Sequence, residues 1–141
     1  MAALTGKWTY RSFLNNSDPV STPDEAMALI FGEGELDIVQ ANPENGFTAT
    51  LSFGGNAIMD LTGQVAEAAP PAPQVINAKG RGRPGGPISA FAYDYIFYEV
   101  PDWPEGRDQR QALVGTVIRA EDHGQARKGA TASTITVRQI A

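Results

Sequence analysis

Apolar and polar residues alternate along most of this chain, and that period of two is typical of β-strands rather than helices. In the first run, Leu4, Trp8 and Tyr10 share one face, whereas Lys7 and Arg11 share the other. Similar runs, separated by Gly, Pro, Asn and Asp, predict about eight strands joined mostly by short connections. The predicted strands cover residues 4–14, 35–40, 47–53, 57–65, 74–79, 88–100, 110–120 and 132–140.

Two segments interrupt this pattern. Thr22, Pro23 and the two acids that follow are typical of a helix start, but Gly32 and Gly34 are expected to stop any helix soon afterwards. A strand over residues 27–31 fits the sequence nearly as well. Residues 80–87 hold four glycines and two prolines. A segment of that composition predicts a mobile loop at one mouth of the fold. At most one short helix is therefore expected.

Short consecutive strands of this number favour an antiparallel meander over β-α-β units. Eight strands can close into a barrel that holds one small ligand. The expected fold is all-β, an antiparallel up-and-down barrel, formed by a single domain over residues 1–141. A chain of 141 residues is long enough to bury a core of its own.

The segment 88–100 is the most apolar of the predicted strands. Phe91, Tyr93, Tyr95 and Phe97 lie on one face, and we expect them to point into the barrel with the apolar face of strand 47–53. The opposite face also carries apolar residues, which predicts that the strand is covered on both sides. That second cover would come from a lid or from another copy of the chain.

Composition narrows the chemistry. The chain has no cysteine, which excludes disulfides, zinc-thiolate sites and thiol nucleophiles, and which fits a reducing cytoplasm. No secretory leader and no apolar run long enough to span a bilayer are recognisable, so we expect a cytoplasmic protein without a membrane partner. We also expect no cofactor and no metal, because His123 is the single histidine and belongs to a polar loop.

The net charge of −5 argues against a nucleic-acid partner. One basic cluster stands out, with Lys79, Arg81 and Arg83 alternating with glycines. Three charges in a predicted loop are more typical of a solvated tip than of a phosphate-binding surface.

The motif Leu4-Thr5-Gly6-Lys7-Trp8 resembles the first strand of the calycins, which comprise lipocalins, fatty-acid-binding proteins and avidins. In lipocalins the Trp of Gly-x-Trp closes one end of the barrel, and an Arg from near the chain's end packs over its ring. The resemblance therefore implies a structural pair of Trp8 with Arg138, or with Arg119 as the second choice. Cation–π attraction gives that stacking a physical basis.

The resemblance does not extend to biotin. Where avidins place an Asn and a Ser for biotin shortly after the Trp, this chain has Tyr10 and Leu14. Biotin binding is accordingly not expected.

The function expected from these features is binding of a small, partly apolar molecule inside the barrel. Its candidate contacts are aromatic rings with phenol hydroxyls and one cation: Tyr10, Phe91, Tyr93, Tyr95 and Arg119. Two alternatives stay open. A barrel enzyme of isomerase, cyclase or hydratase type would use Asp60, Asp94 or Tyr95 as acid or base. An interaction module would form a homodimer through the second apolar face of strand 88–100.

Overall fold

A computed structural model describes residues 4–15, 20–40, 45–69 and 71–140. Within these residues eight strands form a closed barrel. The strands and the single described helix run in the order β1 (Gly6–Leu14), α1 (Pro23–Met27), β2 (Ile30–Gln40), β3 (Gly46–Ser52), β4 (Ile58–Ala66), β5 (Val75–Gly82), β6 (Ala92–Glu99), β7 (Ala112–Arg119) and β8 (Thr131–Arg138).

Each strand pairs antiparallel with the next one along the chain, and β8 pairs with β1 to close the barrel. In that closing pair Trp8 lies opposite Arg138 and Tyr10 lies opposite Thr136. The prediction of an all-β, up-and-down antiparallel barrel is confirmed. In the described part of the chain, no helix is long and apolar enough to cross a membrane.

The barrel interior holds the core, because alternate side chains of every strand point inward. Tyr93, Tyr95 and Phe97 of β6 are buried, as are Phe47 and Leu51 of β3, as predicted. The first strand also behaves as expected up to Ser12, which is fully buried. A register shift follows between Ser12 and Phe13, and Leu14 beyond it is exposed rather than inward.

Two glycines that were expected to stop a helix instead lie inside a strand. β2 begins at Ile30, five residues before the predicted start at residue 35, and includes Gly32 and Gly34. A Cβ atom on Gly34 would run into the backbone carbonyl of Ser52 on β3. The glycines therefore permit close approach of neighbouring strands, a requirement that the local sequence does not reveal.

The loop predicted over residues 80–87 begins and ends later in the chain than expected. β5 continues through Gly82, so the loop to β6 covers residues 83–91. Gly82 lies against the backbone of Ile88, where no side chain would fit. Lys79 and Arg81 lie on the strand with exposed side chains, and Arg83 forms an ion pair with Asp60 at 2.7 Å. Two of the three basic residues, Lys79 and Arg81, therefore lie on a strand rather than in a loop, and Arg83 follows directly after it.

The short helix occurs where its start was predicted. Pro23 is its first residue, and the hydroxyl of Thr22 accepts a hydrogen bond from the amide of Glu25 at 3.2 Å. This is an N-cap. None of its residues is buried, so the helix contributes little to the core.

The outer face of β6 was expected to be covered by a lid or by another copy of the chain. Ile96 and Tyr98 are 36% and 43% exposed, and no segment of the described chain packs over them. Neighbouring strands add Val114, Ile118 and Ile135, which are exposed to a similar extent. We call these five residues the outer apolar face.

Candidate functional site

One end of the barrel is closed by Trp8 and Arg138. The Trp8 side chain is fully buried, and its indole nitrogen donates a hydrogen bond to the carbonyl oxygen of Leu4 at 3.0 Å. The guanidinium carbon of Arg138 lies 4.5 Å from the centre of the Trp8 ring system. This is the stacking that the sequence resemblance implies for Arg138, and Arg119 lies elsewhere.

Hydrogen bonds hold Arg138 in this position. Its guanidinium donates to the carbonyl oxygen of Thr5 at 2.8 Å and to the side-chain oxygen of Gln111 at 2.9 Å. Because a charged donor forms strong hydrogen bonds, this end of the barrel is fixed by electrostatics as well as packing. Packing on Trp8 and charged hydrogen bonds thus act together at the closed end.

The barrel contains a cavity of about 170 Å³ on the other side of Tyr10. Ten residues from six segments line it, and most of them are aromatic or aliphatic: Tyr10, Ser12, Phe31, Gly32, Phe53, Ile88, Phe91, Tyr93, Tyr95 and Val117. Four of the five predicted ligand contacts are in this set: Tyr10 on β1, Phe91 just before β6, and Tyr93 and Tyr95 on β6. The fifth, Arg119, is adjacent to it.

The aromatic side chains meet edge to face. Tyr10 contacts Phe53 and Tyr95 with ring centres 6.3 and 6.2 Å apart, and Phe91 contacts Tyr93 at 6.0 Å. Perpendicular rings place the positive edge of one against the negative face of the next. The cavity is thus bounded by rings that hold one another in place, which favours a preformed site.

One wall of the interior is polar. Ser12 on β1 lies opposite Thr134 on β8, and all three of Ser12, Thr134 and Thr136 are buried. The hydroxyl oxygens of both threonines have no hydrogen-bond partner among the described residues. Buried hydroxyls usually find a partner. Of these three residues only Ser12 lines the cavity.

Two of the residues that line the cavity, Tyr10 and Tyr95, carry phenol hydroxyls. Burial raises the pKa of Tyr10, although contacts with the Ser12 and Tyr95 hydroxyls oppose the change. Burial raises the pKa of Tyr95 much further, and its hydroxyl donates a long hydrogen bond of 3.5 Å to the sulfur of Met59. Both phenols therefore stay protonated at neutral pH and act as hydrogen-bond donors rather than bases.

The mouth of the cavity is formed by a second group of rings. His123 stacks on Phe91 with ring centres 3.7 Å apart, and its Nε2 atom lies 3.2 Å from the Tyr93 hydroxyl. Phe31 meets Tyr93 edge to face at 5.9 Å. His123 was expected in a polar loop, and it does lie in the loop between β7 and β8. Its ring is partly buried against Phe91 and Tyr93.

Arg119 lies over this group. Its guanidinium carbon is 5.4 Å from the centre of the Phe31 ring and 6.0 Å from that of Tyr93. One terminal nitrogen donates to the carbonyl oxygen of Arg127 at 3.1 Å, whereas the buried Nε has no partner among the described residues. Burial, and then the positive charge of Arg119, lower the pKa of His123, and Asp122 opposes that change.

The carboxylates considered as acid–base groups lie outside the barrel. Asp60 is exposed between two inward residues of β4, and its hydrogen-bonded partner Arg83 lowers its pKa. Asp94 lies on the outer face of β6, beside an open groove of about 640 Å³ that Lys79 and Ile96 also line. Strand parity thus removes both carboxylates from the cavity.

Four features of the site were not predicted from the sequence. Phe31 belongs to a segment, residues 27–31, for which the sequence left helix and strand open, and Ile88 was assigned to the strand expected at 88–100. Val117 looked like ordinary core on β7. His123 gave no signal, because a loop residue acquires its neighbours only when the barrel closes.

Comparison of the chain with protein-family models, with curated proteins and with solved structures gives no match to any of them.

Proposed function

We propose that this protein binds a small, partly apolar molecule in the cavity at the open end of a calycin-like barrel. The observation that carries the proposal is the cavity of about 170 Å³, which is bounded mainly by aromatic rings and which the polar residue Ser12 also lines. Binding sites combine apolar lining with a few placed polar groups, and this cavity has both. The Trp8–Arg138 stack supports the calycin comparison, because it is the contact expected from the lipocalin motif.

The volume limits the ligand's size. An apolar protein cavity of about 150 Å³ is enough to hold benzene. The cavity therefore suits a portion of ligand about one ring in size, with any further atoms at the mouth. Edge-to-face contacts with Tyr10, Phe53 and Phe91 favour an aromatic ring over an alkyl chain.

The arrangement supports binding more strongly than catalysis. Among the described residues that line the cavity there is no carboxylate, and the phenols of Tyr10 and Tyr95 have raised pKa values. An isomerase or hydratase of the expected type needs an acid or base whose pKa lies near the working pH. Asp60 and Asp94 lie outside the cavity, and the raised pKa of Tyr95 keeps its phenol protonated.

Native mass spectrometry of freshly purified protein tests the proposal by detecting a retained small molecule. Val117→Phe places a larger side chain in the cavity, so the retained mass should disappear. Val114→Phe is the matched control, because Val114 lies on the outer face of the same strand and is 37% exposed. Retention by both variants, each folded by circular dichroism, would place the ligand outside this cavity.

A homodimer is a second candidate, favoured by the outer apolar face. Large exposed apolar patches mark interaction sites, and stable interfaces bury more than about 1,000 Å² in total. Light scattering should then give twice the chain mass of 15.0 kDa. Tyr98→Lys should restore the single-chain mass, and a single-chain mass for the unmodified protein would reject the dimer.

A further inference from the structure

Arg119, at the cavity mouth, forms no ion pair with any residue that the structure describes. The ion pairs among the described residues join Lys7, Arg11, Arg83 and Arg127 to carboxylates, and Arg119 is not among them. Its side chain is half-buried against two rings. A guanidinium in such a place has lost part of its hydration and gains from an anion.

The free hydrogen-bonding capacity of Arg119 points the same way. A guanidinium has five N–H donors in a planar fork. One nitrogen bonds the carbonyl oxygen of Arg127, and the buried Nε has no partner in the part of the chain that the structure describes. The fork matches the geometry of a carboxylate or phosphate, which can accept two parallel hydrogen bonds.

The nearby acidic residue is already engaged. Asp122 accepts a hydrogen bond from the backbone amide of Lys128 at 2.7 Å and one from Arg127 at 3.4 Å. It is therefore held within its own loop. The remaining polar groups at the mouth are the Tyr93 hydroxyl and the His123 ring, which contact each other at 3.2 Å.

Arg119 does not line the cavity, but it lies over Phe31 and Tyr93, which do. The guanidinium therefore lies next to two of the rings that would contact a molecule in the cavity. This inference rests on the proposed function and specifies its ligand. We propose that the ligand is a small aromatic anion, with its ring in the cavity and its anionic group bound by Arg119 at the mouth.

Isothermal titration calorimetry with four probes tests the proposal. Phenylacetate and phenyl phosphate carry a ring and an anion, phenylacetamide is the neutral isostere of phenylacetate, and acetate has no ring. We expect at least one of the two aromatic anions to bind about tenfold more tightly than phenylacetamide, as expected for a charged hydrogen bond. Acetate should bind weakly. The preferred probe distinguishes a carboxylate from a phosphate ligand.

Arg119→Gln should bring the affinities for the anion and for phenylacetamide close together. Arg11→Gln is the matched control, because Arg11 lies on the outer face of β1, is 60% exposed and pairs with Glu33. It should leave the ratio unchanged. Since His123 is the only histidine, its ring signals in a proton NMR spectrum report binding at the mouth directly. They should shift with phenylacetate in the unmodified protein.

The outcomes separate the two proposals. If phenylacetamide binds as tightly as both anions and Val117→Phe abolishes all binding, the anion inference is overturned while binding in the cavity stands. If none of the aromatic probes binds and the His123 signals do not move, both proposals fail. Since the ratio of affinities is measured first on the unmodified protein, a failure of Arg119→Gln to fold would not remove the test.

Discussion

The two ends of the barrel each place an arginine over aromatic rings, but the two arginines are bonded differently. At the closed end, Arg138 donates to Thr5 and Gln111 while it covers the buried ring of Trp8. At the open end, Arg119 covers Phe31 and Tyr93 with its Nε unpartnered within the described chain. An arginine over aromatic rings is therefore expected to stabilise the fold where its guanidinium is hydrogen-bonded within the chain, as in Arg138. It is a candidate binding group where a guanidinium nitrogen lacks a partner among the described residues, as in Arg119.

The surroundings of the two ends follow the same division. Trp8 fills its end of the barrel completely, whereas the rings at the other end stand around a cavity of about 170 Å³. Packing at the closed end supplies stability, and the cavity forgoes contacts that a filled core would make. Substitutions should therefore act on stability at one end and on binding at the other.

The largest expected effect concerns Trp8. Trp8→Ala should lower the free energy of unfolding by about 3–5 kcal/mol, as for other buried aromatic truncations. Urea unfolding followed by circular dichroism measures it. Trp103→Ala is the control, because Trp103 is 63% exposed and should change stability by less than about 0.5 kcal/mol. Equal losses for the two variants would contradict a structural role for the closed end.

The second-largest expected effect is the difference in stability between variants of the two arginines. Arg138→Ala should cost about 1–3 kcal/mol of unfolding free energy, because it removes charged hydrogen bonds and the contact with Trp8. Arg119→Ala should cost less than about 1 kcal/mol, since much of its bonding capacity is not used within the chain. The same urea experiment compares them. A larger loss for Arg119→Ala would reverse the assignment of the two ends.

Tyr93→Phe should affect binding more than stability. It removes the hydroxyl that contacts His123 but keeps the ring that packs on Phe31 and Phe91. We expect the binding of phenylacetate to weaken by about 0.5–1.5 kcal/mol. Tyr98→Phe, on the outer face, should leave the affinity unchanged. If Tyr93→Phe alters the unfolding free energy alone, the hydroxyl serves the fold rather than the ligand.

The smallest expected effect is on pH dependence. Because the pKa of folded His123 is lowered, the unfolded chain takes up its proton first as the pH falls. The contribution of His123 to stability is therefore complete above its unfolded pKa of about 6.5 and decreases below it. Unfolding free energies at pH 7.5 and 5.5 should differ slightly more for the unmodified protein than for His123→Gln. An NMR titration of His123 that gives a raised pKa would contradict this.

The sequence predicts the barrel better than it predicts the mouth. Alternation places Trp8, Tyr95 and Phe97 inside without knowledge of neighbours, because a strand's two faces are fixed by its own residues. For Asp60, the sequence left open whether the carboxylate points into the barrel or outward. The structure decides this, because the neighbouring Met59 and Leu61 point inward. Gly32 and Gly34 were misjudged because close strand approach is a tertiary property. The contacts of His123 depend on how a loop returns to the barrel, and no local pattern encodes that.

The closing pair of strands has a consequence for how the barrel forms. Seven strand pairs join neighbours along the chain, whereas β1 and β8 bring together Thr9 and Val137, which are 128 positions apart. Bringing together such distant segments has the largest loop-closure cost, so this pairing is expected late in folding. Trp8 and Arg138 face each other in that same pair. Loss of their contact should therefore accelerate unfolding while leaving the refolding rate nearly unchanged, a difference that stopped-flow kinetics resolves.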